Sequence, residues 1–127
     1  MNKSVGTALA PQAVGPYSQG LCSGGFVFCS GQVSIDLQNG DVIPGSIEEQ
    51  TARALDYLGE VLRAAGSDYK YAAKCNVYLS DPDKFDGMNS VYRQYFSEPY
   101  PARITVSGVK LYGGLDVEID CIAKIPE

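Results

Sequence analysis

A chain of 127 residues with 45% hydrophobic content suffices for one domain around one core, spanning residues 1–127, and nothing in its length calls for a second. Ten Lys and Arg against fifteen Asp and Glu give a net charge of −5 with the acids scattered along the chain, which excludes a basic stripe for phosphate backbones, so no nucleic-acid partner is expected. There is no histidine, which excludes Cys-His and Ser-His catalysis and zinc hydrolysis, and no run approaches a membrane span or a signal-peptide core, so no membrane partner and a cytoplasmic location are expected.

Residues 1–14 form a polar lead, expected to be partly extended. Pro16 then presets the backbone before Tyr17, so that this phenol leaves the chain in a defined direction, either to a ligand or simply to pack with its hydroxyl at the surface. The run GLCSGGFVFCSG predicts two strands about a Gly24-Gly25 turn. At the end of the second, Ser30-Gly31 offers a hydroxyl and a closely approachable backbone N–H, although a small turn needs the same glycine. Asn39-Gly40 is a hairpin signal.

A helix is predicted next. Ser46 with Glu49 makes a capping box, Thr51, Ala54, Leu55, Leu58, Val61, Leu62 and Ala65 recur at helical spacing, and Gly66 ends the run. Tyr71 to Leu79 reads as a strand. Ser80-Asp81-Pro82 caps a second helix carrying Phe85, Met88, Tyr92, Tyr95 and Phe96, with Asn89 either a ligand contact or a local hydrogen-bond partner. Cys22, Cys29, Cys75 and Cys121 lie far apart, each in a strand-like run, and read as buried, reduced thiols.

The stretch from Tyr100 to Cys121 carries the candidate chemistry. In its first half Ile104 and Val106 alternate with Arg103, Thr105 and Ser107; in its second, Val117, Ile119 and Cys121 alternate with Asp116, Glu118 and Asp120. Gly113-Gly114 between them suggests an antiparallel hairpin, which would put Arg103 and Glu118 on one polar face. Arg103 could grip a carboxylate through two parallel hydrogen bonds, or pair with Glu118 or Asp120 across the sheet. Glu118 could be a general base raised by burial, or an acid on a solvated face. The order of elements predicts an α+β domain, one sheet with two helices on one face. The consecutive Phe26, Val27 and Phe28 leave apolar surface on the uncovered face, so a second copy of the chain is expected there.

Three stretches, APQAVGPYSQG, CSGQVSID and PARITVSGVKLYGGLDVEIDCIAK, resemble the Rid family, also called YjgF-like or reactive-intermediate imine deaminases and catalogued as L-PSP endoribonucleases. The resemblance implies a chorismate-mutase-like fold with a mixed sheet, assembled as a homotrimer around an inner barrel with sites between subunits. It also implies hydrolysis of 2-imino and enamine acids, such as 2-iminobutanoate and 2-iminopropanoate, to 2-oxo acids and ammonia, without cofactor or metal. Arg103 would bind the substrate carboxylate, Glu118 would position water, Tyr17 would close the pocket and help pass a proton, and Ser30, Gly31, Asn89 and Thr105 would complete the substrate site. Thr105 stands where that branch commonly has Cys. The substrate would come from a pyridoxal-phosphate enzyme upstream. Two rival readings are a 2-oxo-acid sensor or chaperone-like trimer without turnover, and the RNA cleavage of the family's alternative name, which the net charge disfavours.

Overall fold

The computed structural model describes all of residues 1–127. Its strands are β1 (Lys3–Val5), β2 (Gly20–Ser23), β3 (Phe26–Gln32), β4 (Ala72–Leu79), β5 (Ala102–Ser107) and β6 (Val117–Lys124); its helices are α1 (Ile47–Ala64) and α2 (Phe85–Tyr95). The six strands form one sheet in the order β1-β2-β3-β6-β4-β5. Every neighbouring pair is antiparallel except β4 and β5, which run parallel because α2 carries the chain back between them. The architecture is the expected α+β domain with a mixed sheet and two helices.

Local chemistry accounts for most elements. Gly24 and Gly25 both take positive φ, 60° and 85°, and close the tight β2–β3 turn. Ser46 Oγ accepts the Glu49 N–H at 3.0 Å while Glu49 Oε1 accepts the Ser46 N–H at 2.9 Å, so the capping box forms and α1 begins where expected. Gly66, at φ 86°, ends the run just past the C-cap Ala65. Leu55, Leu58, Val61 and Leu62 are fully buried against β3 and β6, each worth roughly 1.5–3 kcal/mol of apolar burial. Gly87 lets α2 approach α1, since a Cβ there would lie 2.5 Å from Ile47 Cγ2.

The sheet has a covered and an uncovered face. Val27, Cys29, Cys75, Val77, Val117, Ile119 and Cys121 point to the helices and are buried. On the other face Phe26, Phe28, Ile104 and Val106 remain 38%, 42%, 53% and 38% exposed. Cys29, Cys75 and Cys121 are buried free thiols, and burial pushes Cys29 up to about 12, while Cys22 is only half-buried. No helix is long and apolar enough to cross a membrane.

The hairpin expected between Arg103 and Glu118 does not form. β4 lies between β5 and β6, so the connection from Gly108 to Asp116 steps over a strand. Cys75 pairs in register with both Arg103 and Cys121, and Tyr78 pairs with Glu118. Arg103 therefore shares the helix-covered side with Cys75, whereas Glu118 shares the uncovered side with Tyr78. The alternation within each strand is as expected; the alignment of one strand's faces with the other's is reversed.

Candidate active site

Glu118 stands on β6 between buried Val117 and Ile119. Opposite it the β3–β6 register shifts between Cys29 and Gln32, a bulge that includes Ser30 and Gly31. A Cβ at Gly31 would overlap the Glu118 carboxylate, so the glycine leaves that side chain its present position. Burial raises the Glu118 pKa, and the charge of Asp120 on the same face raises it further. Asp120 is fixed by Asn76, whose Nδ2 donates to Oδ1 at 2.7 Å. Neither of the chain's two ion pairs involves Glu118; both use Arg63. A half-buried carboxylate with a raised pKa and no cation beside it is suited to accept a proton near neutral pH.

The N-terminal arm closes over this carboxylate. Gln19, almost fully buried, donates from Nε2 to the carbonyls of Thr7, Ala10 and Pro11 at 3.1, 3.1 and 2.7 Å, and its Oε1 accepts the Thr7 N–H at 2.7 Å. Ser30 Oγ donates to the Ser18 carbonyl at 2.6 Å, and the Ser30 N–H donates to the Gln19 carbonyl at 2.9 Å. The Ser30 proton is thus committed to the arm, which leaves its oxygen as an acceptor. Tyr17 is half-exposed, its hydroxyl accepting the Val14 N–H at 3.4 Å. The resulting cavity, about 650 Å³, is lined by Tyr17, Ser30, Gly31 and Glu118 together with Asp36 and Tyr112 of two loops.

Arg103 lies elsewhere, on the edge strand β5. Its guanidinium carbon stands 4.7 Å from the Tyr92 ring centroid and 5.7 Å from that of Phe85, and no carboxylate pairs with it. Tyr92 is in turn packed on Phe96 at 4.6 Å. Two aromatic faces therefore hold the cation without consuming its N–H groups, so the fork remains open to a planar anion. The Tyr92 hydroxyl is buried with no hydrogen-bond partner; burial and the adjacent Cys75 thiol push its pKa up. A second cavity of about 350 Å³ joins Arg103 to Asn89, Tyr92, Arg93, Tyr100 and Pro101.

The expected site residues therefore divide into two groups. Tyr17, Ser30, Gly31 and Glu118 line the first cavity; Arg103 and Asn89 line the second. Thr105 lies two residues beyond Arg103 on the same side of β5 and lines neither. Sequence reasoning missed Gln19, Asp36 and Tyr112. The loop around Asp36 had a signal in Asn39-Gly40, which does form a turn closed by an Ile35–Val42 bridge, but a hairpin signal says nothing of what the turn lies against.

The family described as Endoribonuclease L-PSP matches residues 7–125. The chain belongs to that family, which is also known as YjgF, RutC or Rid. Among L-PSP family relatives, the bovine 2-iminobutanoate/2-iminopropanoate deaminase is 40% identical over 123 residues, covering 97% of this chain and 90% of the bovine one. Protein mmf2, mitochondrial, of Schizosaccharomyces pombe is 45% identical over 112 residues, covering 86% of this chain and 87% of its own. Escherichia coli TdcF, solved with bound serine, superposes with a TM-score of 0.88 at 34% identity, covering 96% of this chain and 98% of that one.

Proposed function

We propose that this chain hydrolyses 2-imino acids to 2-oxo acids and ammonia at sites completed between copies of the chain in a homotrimer. The observation that carries this reading is the separation just described: an unpaired cation and a desolvated carboxylate stand on opposite faces of one sheet, each in a cavity lacking the other's chemistry. The exposed Phe26, Phe28, Ile104 and Val106 supply apolar surface for the second copy. The deaminase name of relatives at 36–40% identity supports the reaction class.

Arg103 of one copy holds the substrate carboxylate by two charge-assisted hydrogen bonds, with Asn89 beside it. Glu118 of a second copy, ionised, takes a proton from water as the oxygen bonds to C2. Glu118 passes that proton to the imine nitrogen, giving a neutral carbinolamine; it then takes the hydroxyl proton as the C–O double bond forms and delivers it to the amino group, which leaves with the C–N electron pair as ammonia. The sum is R–C(=NH)–COO⁻ + H₂O → R–C(=O)–COO⁻ + NH₃. Ser30, whose own proton is committed, accepts from the nitrogen, while Tyr17 closes the cavity. Orientation and one placed base are sufficient aid for an imine, which is already electrophilic.

The test is complementation. Arg103→Ala and Glu118→Gln are each expected to be inactive; refolded together as random trimers, they should regain about one quarter of wild-type activity, because that fraction of subunit seams pairs an intact arginine with an intact glutamate. No recovery from well-mixed trimers would refute a site between copies. The serine bound to TdcF favours a second reading, a carboxylate sensor without turnover. It expects 2-oxo-acid binding that depends on Arg103 and no acceleration of imine decay.

A further inference from the structure

The chain has four arginines, and two are tied internally. Arg53 donates to Ser34 Oγ at 2.9 Å, and Arg63 pairs with Glu60 at 2.8 Å and Asp68 at 3.6 Å. The other two, Arg93 and Arg103, make no ion pair, and both line the smaller cavity. None of the fifteen acidic residues lines it. A chain of net charge −5 thus lines one concave place with two arginines that make no ion pair and with none of its carboxylates.

Arg93 follows Asn89 by four residues on α2, so the two side chains share a side of the helix and open on the same cavity as Arg103. A cation in a last helical turn also suits the helix dipole. The dipole, however, is indifferent to direction around the axis and does not select the side facing Arg103. A monocarboxylate occupies one guanidinium fork and leaves the second without a counter-charge.

We infer that this site accepts 2-imino dicarboxylates of four or five carbons, Arg103 holding the carboxylate next to the imine and Arg93 the distal one. The inference rests on the imine-hydrolase reading and names its substrate class. Arg93 is then a specificity-determining residue, remote from the reacting carbon, whose removal alters the choice between substrates.

The imines of L-glutamate, L-aspartate and L-alanine, generated in place by amino-acid oxidases, give kcat/KM for the wild type, Arg93→Gln and Arg93→Lys; calorimetry gives the affinities of 2-oxoglutarate and pyruvate. Arg93→Gln is expected to lower kcat/KM for the two dicarboxylates, and the affinity for 2-oxoglutarate, by about fivefold to tenfold, with less than about a twofold change for the alanine imine and for pyruvate, and Arg93→Lys should restore part of the loss. An equal effect on all substrates, or none, overturns the inference. So does a change in sedimentation without a change in discrimination, which would place Arg93 against a second copy. If the wild type accelerates no imine, the hydrolase reading fails; the 2-oxoglutarate titration still decides whether Arg93 recognises a second carboxylate.

Discussion

The two cavities of one chain are built on opposite principles. The Glu118 side stands on interior strands β3 and β6, and its carboxylate is perturbed by burial and by Asp120, with Gly31 leaving it room. The Arg103 side stands on an edge strand, where the cation makes no ion pair and is held in place by aromatic faces. A base is tuned by withdrawing it from water; an anion receptor needs a fixed orientation and free donors. The difference teaches why the two belong on different faces. Side by side within one fold they would pair, each cancelling the property that makes the other useful.

Substitutions on either side should separate these principles. Arg103→Ala is expected to lower kcat/KM at least about 100-fold, since two charge-assisted bonds are lost, while Glu118→Gln should lower kcat about 100-fold or more and leave 2-oxo-acid affinity near wild type. Equal loss of affinity in both would abolish the distinction. Because burial raises the folded-state pKa of Glu118, its favourable contribution to stability is full below the unfolded carboxylate value and is lost as pH rises through the folded one. Glu118→Gln should therefore melt no lower than wild type at pH 7.

Gly31→Ala attacks the Glu118 side alone. The added methyl displaces the carboxylate, and kcat is expected to fall about tenfold with little change in carboxylate affinity. Tyr92→Leu attacks the other side, and without its ring KM should rise about fivefold. Tyr92→Phe keeps the ring and removes a buried hydroxyl that lacks a partner, so KM should hold and stability rise by up to about 1 kcal/mol in chemical denaturation. The smallest effect is on pH. Asp120 pushes the Glu118 pKa up, so Asp120→Asn lets the base stay ionised to lower pH, and the acid limb of the kcat/KM profile should move downward. Movement upward would remove Asp120 from the account.

Local signals were legible wherever they were self-contained. Ser46 and Glu49 announce α1, Gly24-Gly25 announces a turn, and the period of two in β6 identifies its buried row. Arg103 and Glu118 were also visible as residue types. Their mutual placement was not, because period two fixes which side chains share a face within a strand and carries no information about a strand inserted from earlier in the chain. The parallel pairing of β4 with β5 through α2 decides that placement, and it is a long-range choice made by burying Met88 and Tyr92 in the same core as Cys75 and Val77. Gln19 escaped notice for a related reason: its three carbonyl partners are scattered over residues 7–11 and follow no motif.

Arg103 and Glu118 look away from each other through the thickness of a hydrogen-bonded sheet, and no hinge or loop closure within the chain can turn one toward the other without tearing strands apart. Catalytic competence would then obey mass action: specific activity should fade on dilution, and an isolated, fully folded subunit would be inert however well its surfaces were preserved.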